Sequence, residues 1–315
     1  MALDVLNSSK ILITGATGFI GRQLCDRLMS EGRQVRRAAR DTSQIEDASV
    51  VGDIGRETSW RKALAGVDTV VHLAARVNIS QEKSAKPLAE FRKVNTEGTL
   101  ALARQATQAS VKRFVYISSI GVNGNQNTQP FNEQDTPSPA EPYAVSKLEA
   151  EQGLHELAVE TNMEMVIIRP PLVYGFNATG SFGSLVRWIK KGIPLPLGAI
   201  HNRRNLVGLD NLVDFMVTCI DHPDAANHTF LVADGEDLST TDLLRRVGRA
   251  LDKPVRLVPV PLGLLKLGAA LLGKQAMVQK LCGSLQVDIS KAREVLGWTP
   301  PVSVDEGLRI AAGKN

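Results

Sequence analysis

The chain has 315 residues, 43% hydrophobic and 22% charged, which is large for one core and fits two lobes around a cleft. A net charge of +4 suits anionic small substrates such as nucleotide phosphates and is too weak to argue for nucleic acid. Cys25, Cys219 and Cys282 lie far apart without a C-x-x-C, and the five histidines lack metal-ligand spacing. Neither a disulfide framework nor a metal is therefore expected.

Residues 1–9 form a short stretch with no apolar signal core, which predicts a cytoplasmic chain. Lys10–Thr14 reads as a strand, followed by the turn Gly15-Ala16-Thr17-Gly18-Phe19-Ile20-Gly21 and a helical pattern to Glu31. Glycines at that junction let backbone N–H groups approach a pyrophosphate at the positive end of a helix. Gly15, Thr17, Gly18, Phe19, Ile20 and Gly21 are accordingly expected to hold a dinucleotide. Val35–Ala39 and Ala48–Gly52 read as the next two strands. The second of the chain's strands ends in Arg36-Arg37-Ala38-Ala39-Arg40, with no acid before Asp41. An acid there binds a ribose 2′-hydroxyl, whereas a guanidinium grips a 2′-phosphate. NADP(H) is therefore the expected cofactor, with Arg40 the leading contact and Arg37 next, and NAD(H) possible. Asp53 and Ile54 close the third strand, where Asp53 either reaches the adenine or caps a helix. Asp68–Leu73 predicts a fourth strand, after which Leu73, Ala74 and Ala75 are small enough to pass beneath a cofactor.

A long helix is predicted over Leu88–Ala109, then a strand over Arg113–Ile117 and the pair Ser118-Ser119. Gly121–Pro142 has the composition of a surface loop. Tyr143 and Lys147 follow on a helix, and positions four apart share one face. A cation beside the phenol would favour the phenolate, so Tyr143 is expected to exchange a proton near neutral pH. Glu164–Arg169 predicts the next strand. Alternating strands and helices to residue 170 indicate an α/β doubly wound parallel sheet, a Rossmann fold. Residues 1–170, completed by about 203–233, form the expected dinucleotide domain. Residues 171–202 and 234–315 form a smaller C-terminal α/β substrate lobe. Within it, residues 262–282 are rich in Leu and Ala but interrupted by Lys266 and Lys274. That run is too broken to span a membrane and reads as a core or lid helix, or as an interfacial helix with weak membrane contact.

These motifs together resemble the extended short-chain dehydrogenase/reductase family, in its NAD-dependent epimerase/dehydratase branch. The resemblance covers nearly the whole chain and includes Val94-Asn95-Thr96-Glu97-Gly98-Thr99, Arg169-Pro170 and Leu296–Pro300. It implies that Ser119 bonds the reacting oxygen, with Ser118 the alternative. It makes Tyr143 the acid/base, and Lys147 the residue that holds the nicotinamide ribose and tunes Tyr143. Asn95 would support the site from behind. Ile117 and Pro170 would join the cofactor contacts, while Arg76, Ile120, Gly121, Leu172 and Arg204 would face a substrate. Arg204 falls where relatives carry a phosphate-binding arginine, and Leu172 stands where they often have Asn.

The Arg40 pattern looks like the NADPH-dependent reductases of the superfamily. The expected function is therefore reduction of the 4-keto group of a nucleotide-activated sugar, UDP-linked, in surface-polysaccharide synthesis. The alternatives are a UDP-sugar 4-epimerase, a reductase of a non-sugar ketone, and a cofactor-sensing binding protein. Helices Leu88–Ala109 and Pro142–Thr161 would pair across a two-fold axis, as in homodimeric relatives.

Overall fold

The computed structural model describes residues 9–42, 48–77, 86–178 and 180–314. Residues 1–8, on which the cytoplasmic expectation rests, lie outside them. Seven parallel strands form one sheet: β1 (Lys10–Thr14), β2 (Gln34–Ala39), β3 (Ser49–Val50), β4 (Thr69–His72), β5 (Arg113–Ile117), β6 (Glu164–Arg169) and β9 (His228–Leu231). Their spatial order is β3-β2-β1-β4-β5-β6-β9. The order reverses between β1 and β4, so the carboxyl ends of those two strands open the crevice where such sheets bind ligands. The central strands are apolar on both faces, as a sheet covered by helices on each side requires.

One layer packs Ile11, Ile13, Leu24, Leu28 and Val71 with Phe215 and Met216. The other packs Leu12, Val70, Phe114 and Tyr116 against Trp60, Leu102 and Leu154. Leu24 and Leu28 belong to helix α1 (Phe19–Ser30), and a short helix α2 (Arg61–Leu64) follows β3. A smaller lobe has its own core around Tyr174, Phe182, Leu197, Leu244 and Leu308. It includes the parallel pair β7 (Leu172–Tyr174) and β8 (Leu206–Gly208). The doubly wound sheet with a smaller C-terminal lobe is thus the observed architecture.

The single helix expected over Leu88–Ala109 is corrected to three pieces. These are α3 (Pro87–Phe91), a π-helical stretch (Arg92–Gly98) and α4 (Thr99–Gln108). The wide turn accompanies the buried side chain of Asn95, which is spent on contacts outside the helix. It also brings Gly98 against the loop after β3: a Cβ there would lie 2.5 Å from Ile54 Cγ2. Helix α5 (Pro142–Glu160) then opens with Pro at its first position, where the missing N–H costs no hydrogen bond.

Helix α6 (Gly180–Lys190) precedes β8, and α7 (Leu209–Asp221), α8 (Thr240–Ala250), α9 (Leu262–Leu271), α10 (Gln275–Cys282), α11 (Ser290–Leu296) and α12 (Val304–Ala311) follow it. Among the described residues, no helix is long and apolar enough to cross a membrane.

Candidate active site

The junction of β1 with the first turn of α1 can take only glycine at two positions. Gly15 has φ +67°, and a Cβ on it would meet Ala74 N at 2.8 Å. A Cβ on Gly21 would lie 2.1 Å from Gly15 O. Backbone therefore packs on backbone, and Gly18 N–H donates to Gly15 O at 2.9 Å. Gly18 also stands as the N-cap of α1 with no side chain closing that helix end. The cradle is shaped for an anion carried by an elongated ligand. It opens into a cleft of about 790 Å³ that also takes in Arg40, Asp53, Ile54, Leu73, Ala74, Ala75 and Arg76. Trp60, Glu90, Lys93 and Val94 line it as well.

Three threonine and histidine side chains tie this cleft together. Thr14 Oγ1 accepts from Ala74 N–H at 3.1 Å and lies 2.7 Å from His72 Nδ1. His72 Nε2 lies 2.9 Å from Thr99 Oγ1. Burial, and then the nearby Lys147, push the imidazole down to about 3, so it is a neutral strut with one donor and one acceptor nitrogen. The sequence places His72 in the strand Asp68–Leu73 and assigns its side chain no role. A buried His in an otherwise apolar strand was the available signal.

Helix α5 carries Tyr143 and Lys147. Asn95 Nδ2 donates to Ser146 Oγ at 3.0 Å, and Ser146 Oγ donates to the Tyr143 carbonyl at 2.7 Å. Asn95 also bridges both backbone groups of Arg76, accepting at 2.8 Å and donating at 3.0 Å. One amide thus links the loop after β4 to the first turn of α5. The Phe91 ring meets Tyr143 edge-on, with centroids 5.8 Å apart. Lys147 is buried, and its Nζ donates to Ile117 O at 2.7 Å.

The expected acidification of Tyr143 is corrected by this arrangement. Lys147 Nζ sits 4.5 Å from the Tyr116 ring centroid but 6.0 Å from that of Tyr143. Burial pushes the Tyr143 phenol up to about 12, and it pushes the Lys147 ammonium down to about 7 against a smaller opposing effect of Glu151. The protein alone holds the phenol protonated.

Ser119 Oγ accepts from Gly121 N–H at 3.1 Å, while Ser118 Oγ is buried with no hydrogen-bond partner among the described residues. Ile120 N–H donates to Pro170 O at 3.0 Å. This connects the serine turn to the end of β6, and Leu172 begins β7 just beyond. Ser119, Ile120, Gly121, Tyr143, Lys147, Asn95, Ile117, Pro170, Leu172, Arg37 and Arg204 are not part of the cleft lining. Arg204 lies in the smaller lobe, where its Nη1 donates to Lys280 O at 2.7 Å and Gly283 O at 3.0 Å. A second network that the sequence did not reveal joins the end of β6 to α5. Arg169 Nη2 meets Glu151 Oε2 at 2.5 Å, both side chains buried, and Arg169 Nη1 donates to Asn123 Oδ1 at 2.9 Å.

The profile of the NAD dependent epimerase/dehydratase family matches residues 11–233. A UDP-glucose 4-epimerase of Vibrio cholerae is 47% identical, over 96% of this chain and 94% of its own. The solved UDP-glucuronic acid 4-epimerase from Bacillus cereus in complex with NAD superposes with TM-score 0.79 at 23% identity, covering 96% of this chain and 97% of its own. MoeE5 in complex with UDP-glucose and NAD also reaches TM-score 0.79 at 23% identity, over 97% of this chain and 98% of its own.

The preference for NADP(H) is corrected here, since NAD is the dinucleotide held in both of those structures. The chain supplies a physical reason. Arg40 Nε lies 2.8 Å from Asp53 Oδ1 at the adjoining ends of β2 and β3. The guanidinium that was to grip a 2′-phosphate already has a carboxylate beside it, and that carboxylate would repel the phosphate.

Proposed function

The chain belongs to the NAD dependent epimerase/dehydratase family, and from that premise we propose that it is an NAD-dependent 4-epimerase of a nucleotide-activated sugar, with a UDP-sugar as substrate. The observation that carries this reading is 47% identity along nearly the whole chain to a UDP-glucose 4-epimerase, in a sequence that carries Ser119, Tyr143 and Lys147. The reductase expected from Arg40 gives way to it, because its basis was a guanidinium available to a 2′-phosphate.

The glycine cradle at Gly15 and Gly21 would hold the pyrophosphate, and Asp53 would meet the adenosine end. Lys147, held by its hydrogen bond to Ile117 O, would take the nicotinamide ribose. A bound nicotinamide supplies the acceptor, and later the donor, of hydride at the sugar's C4. Tyr143 takes the proton from the C4 hydroxyl as the carbonyl forms, and returns it when the carbonyl is reduced from the other face. The sum is redox-neutral, and the tyrosine ends as it began. Ser119 would steady the same oxygen, and Arg204 would meet the substrate's phosphate. Since the protein alone keeps Tyr143 protonated, this scheme assigns the cofactor's positive charge the task of lowering the phenol into range.

The test is to incubate the protein, with and without added NAD⁺, with UDP-glucose, UDP-galactose and their 2-acetamido counterparts. Interconversion at C4 without net NADH formation is the expected result. Stoichiometric consumption of a reduced nicotinamide would reverse the reading. A homodimer formed through α4 and α5 completes this proposal.

A further inference from the structure

Helices α9 and α10 expose far more apolar surface than they bury. Across the two, Ala269 alone is buried, while Leu264 and Leu267 are 60% and 59% exposed. Leu271 and Leu272 are 81% and 72% exposed. Positions 264, 267 and 271 follow helical i, i+3, i+7 spacing and so share one face. Leu265 and Ala269, on the opposite face, pack toward the smaller lobe or are buried. This is an apolar stripe turned outward on an otherwise completed lobe.

The charge around it is one-sided. Between Asp252 and Asp288 the chain carries Lys253, Arg256, Lys266, Lys274 and Lys280 and no acidic residue. Lys280 is ion-paired with Glu141 at 2.7 Å, and the others surround the stripe in sequence. An outward face of leucines, in a segment whose only charges are cationic, matches a bilayer interface, with leucines among acyl chains and nearby cations drawn to anionic headgroups. A second copy of the chain fits less well. Two-fold pairing sets each surface against itself, which would bring Lys266 and Lys274 toward their own counterparts.

The location bears on the site. Lys280 O and Gly283 O accept from Arg204, and Glu141 directly precedes α5 with its Tyr143. We propose that α9 and α10 form a docking surface for anionic phospholipid bilayers, seating the protein with the Arg204 side of its site toward the membrane. This goes beyond the epimerase reading and does not depend on it.

The test is flotation of the full chain with vesicles of phosphatidylglycerol and phosphatidylethanolamine, and with vesicles of phosphatidylcholine alone. Binding to the anionic vesicles is expected, weakened by added salt and weaker on phosphatidylcholine. Leu267→Glu with Leu271→Glu should lower the partition coefficient at least about tenfold, since it replaces two apolar side chains that would leave water for the acyl region with charged ones. Both positions are exposed, so far-UV circular dichroism and turnover of a water-soluble nucleotide sugar should stay unchanged. Wild-type protein that fails to float with anionic vesicles overturns the proposal. So does wild-type protein that floats no better than the double variant. Self-association of the wild type that is lost in the variant, without flotation, would assign the stripe to a second copy instead.

Discussion

Asp53 and Lys147 each show how one neighbour redirects a side chain. Arg40 and Asp53 stand 13 positions apart in sequence, yet parallel pairing of β2 with β3 brings their side chains to 2.8 Å. Both are largely exposed, so the pair is modest in energy, but it decides what charge a ribose would meet. Asp53→Ala should therefore strengthen binding of NADP⁺ by about threefold to tenfold while leaving that of NAD⁺ nearly unchanged or weaker, as read by isothermal titration calorimetry. An unchanged ratio of the two affinities would show that Asp53 does not set the preference.

Lys147 makes the second residue-scale prediction. Its ammonium titrates near 10.5 when exposed and about 7 in the folded site, mainly through burial. Between those values the unfolded chain binds more protons than the folded one, so stability rises as pH rises from about 7 toward 10. That contribution is lost as pH falls to 7. Lys147→Met should flatten this part of the curve of melting temperature against pH, measured by differential scanning calorimetry. An identical slope in both proteins would mean that Lys147 is not desolvated as described.

At the scale of elements, the strands and the glycine turn were legible because parallel strands buried on both faces are short unbroken apolar runs. Helix α5 was legible because Tyr143 and Lys147 follow a predicted strand at helical spacing. The π-helical turn at Arg92–Gly98 was not. It arises from Asn95 reaching Arg76 and Ser146, contacts made across the fold, and leaves no change in periodicity that a reader could detect. Helical spacing also places Lys147 on the face of Tyr143 without saying which acceptor it takes, and Ile117 O was invisible.

The same helix carries Glu151, whose carboxylate is buried against Arg169. Removing one member of such a pair strands the other charge in the interior. Glu151→Ala should cost about 3–5 kcal/mol in chemical denaturation. A loss below about 1 kcal/mol, within the usual range of surface pairs, would show that Arg169 finds other compensation, with Asn123 the nearest candidate.

For the whole molecule, the central claim is that one sheet and one smaller lobe carry out an oxidation and a reduction at the same carbon without exchanging the nicotinamide. The most direct measurement uses UDP-glucose deuterated at C4, incubated with the NAD⁺-loaded protein in ordinary water and followed by mass spectrometry and NMR. The account predicts UDP-galactose with deuterium still on C4, no accumulation of NADH, and a rate reduced about 10²–10⁴-fold in Tyr143→Phe. Deuterium found instead in released nicotinamide, with a 4-keto sugar left behind, would contradict it.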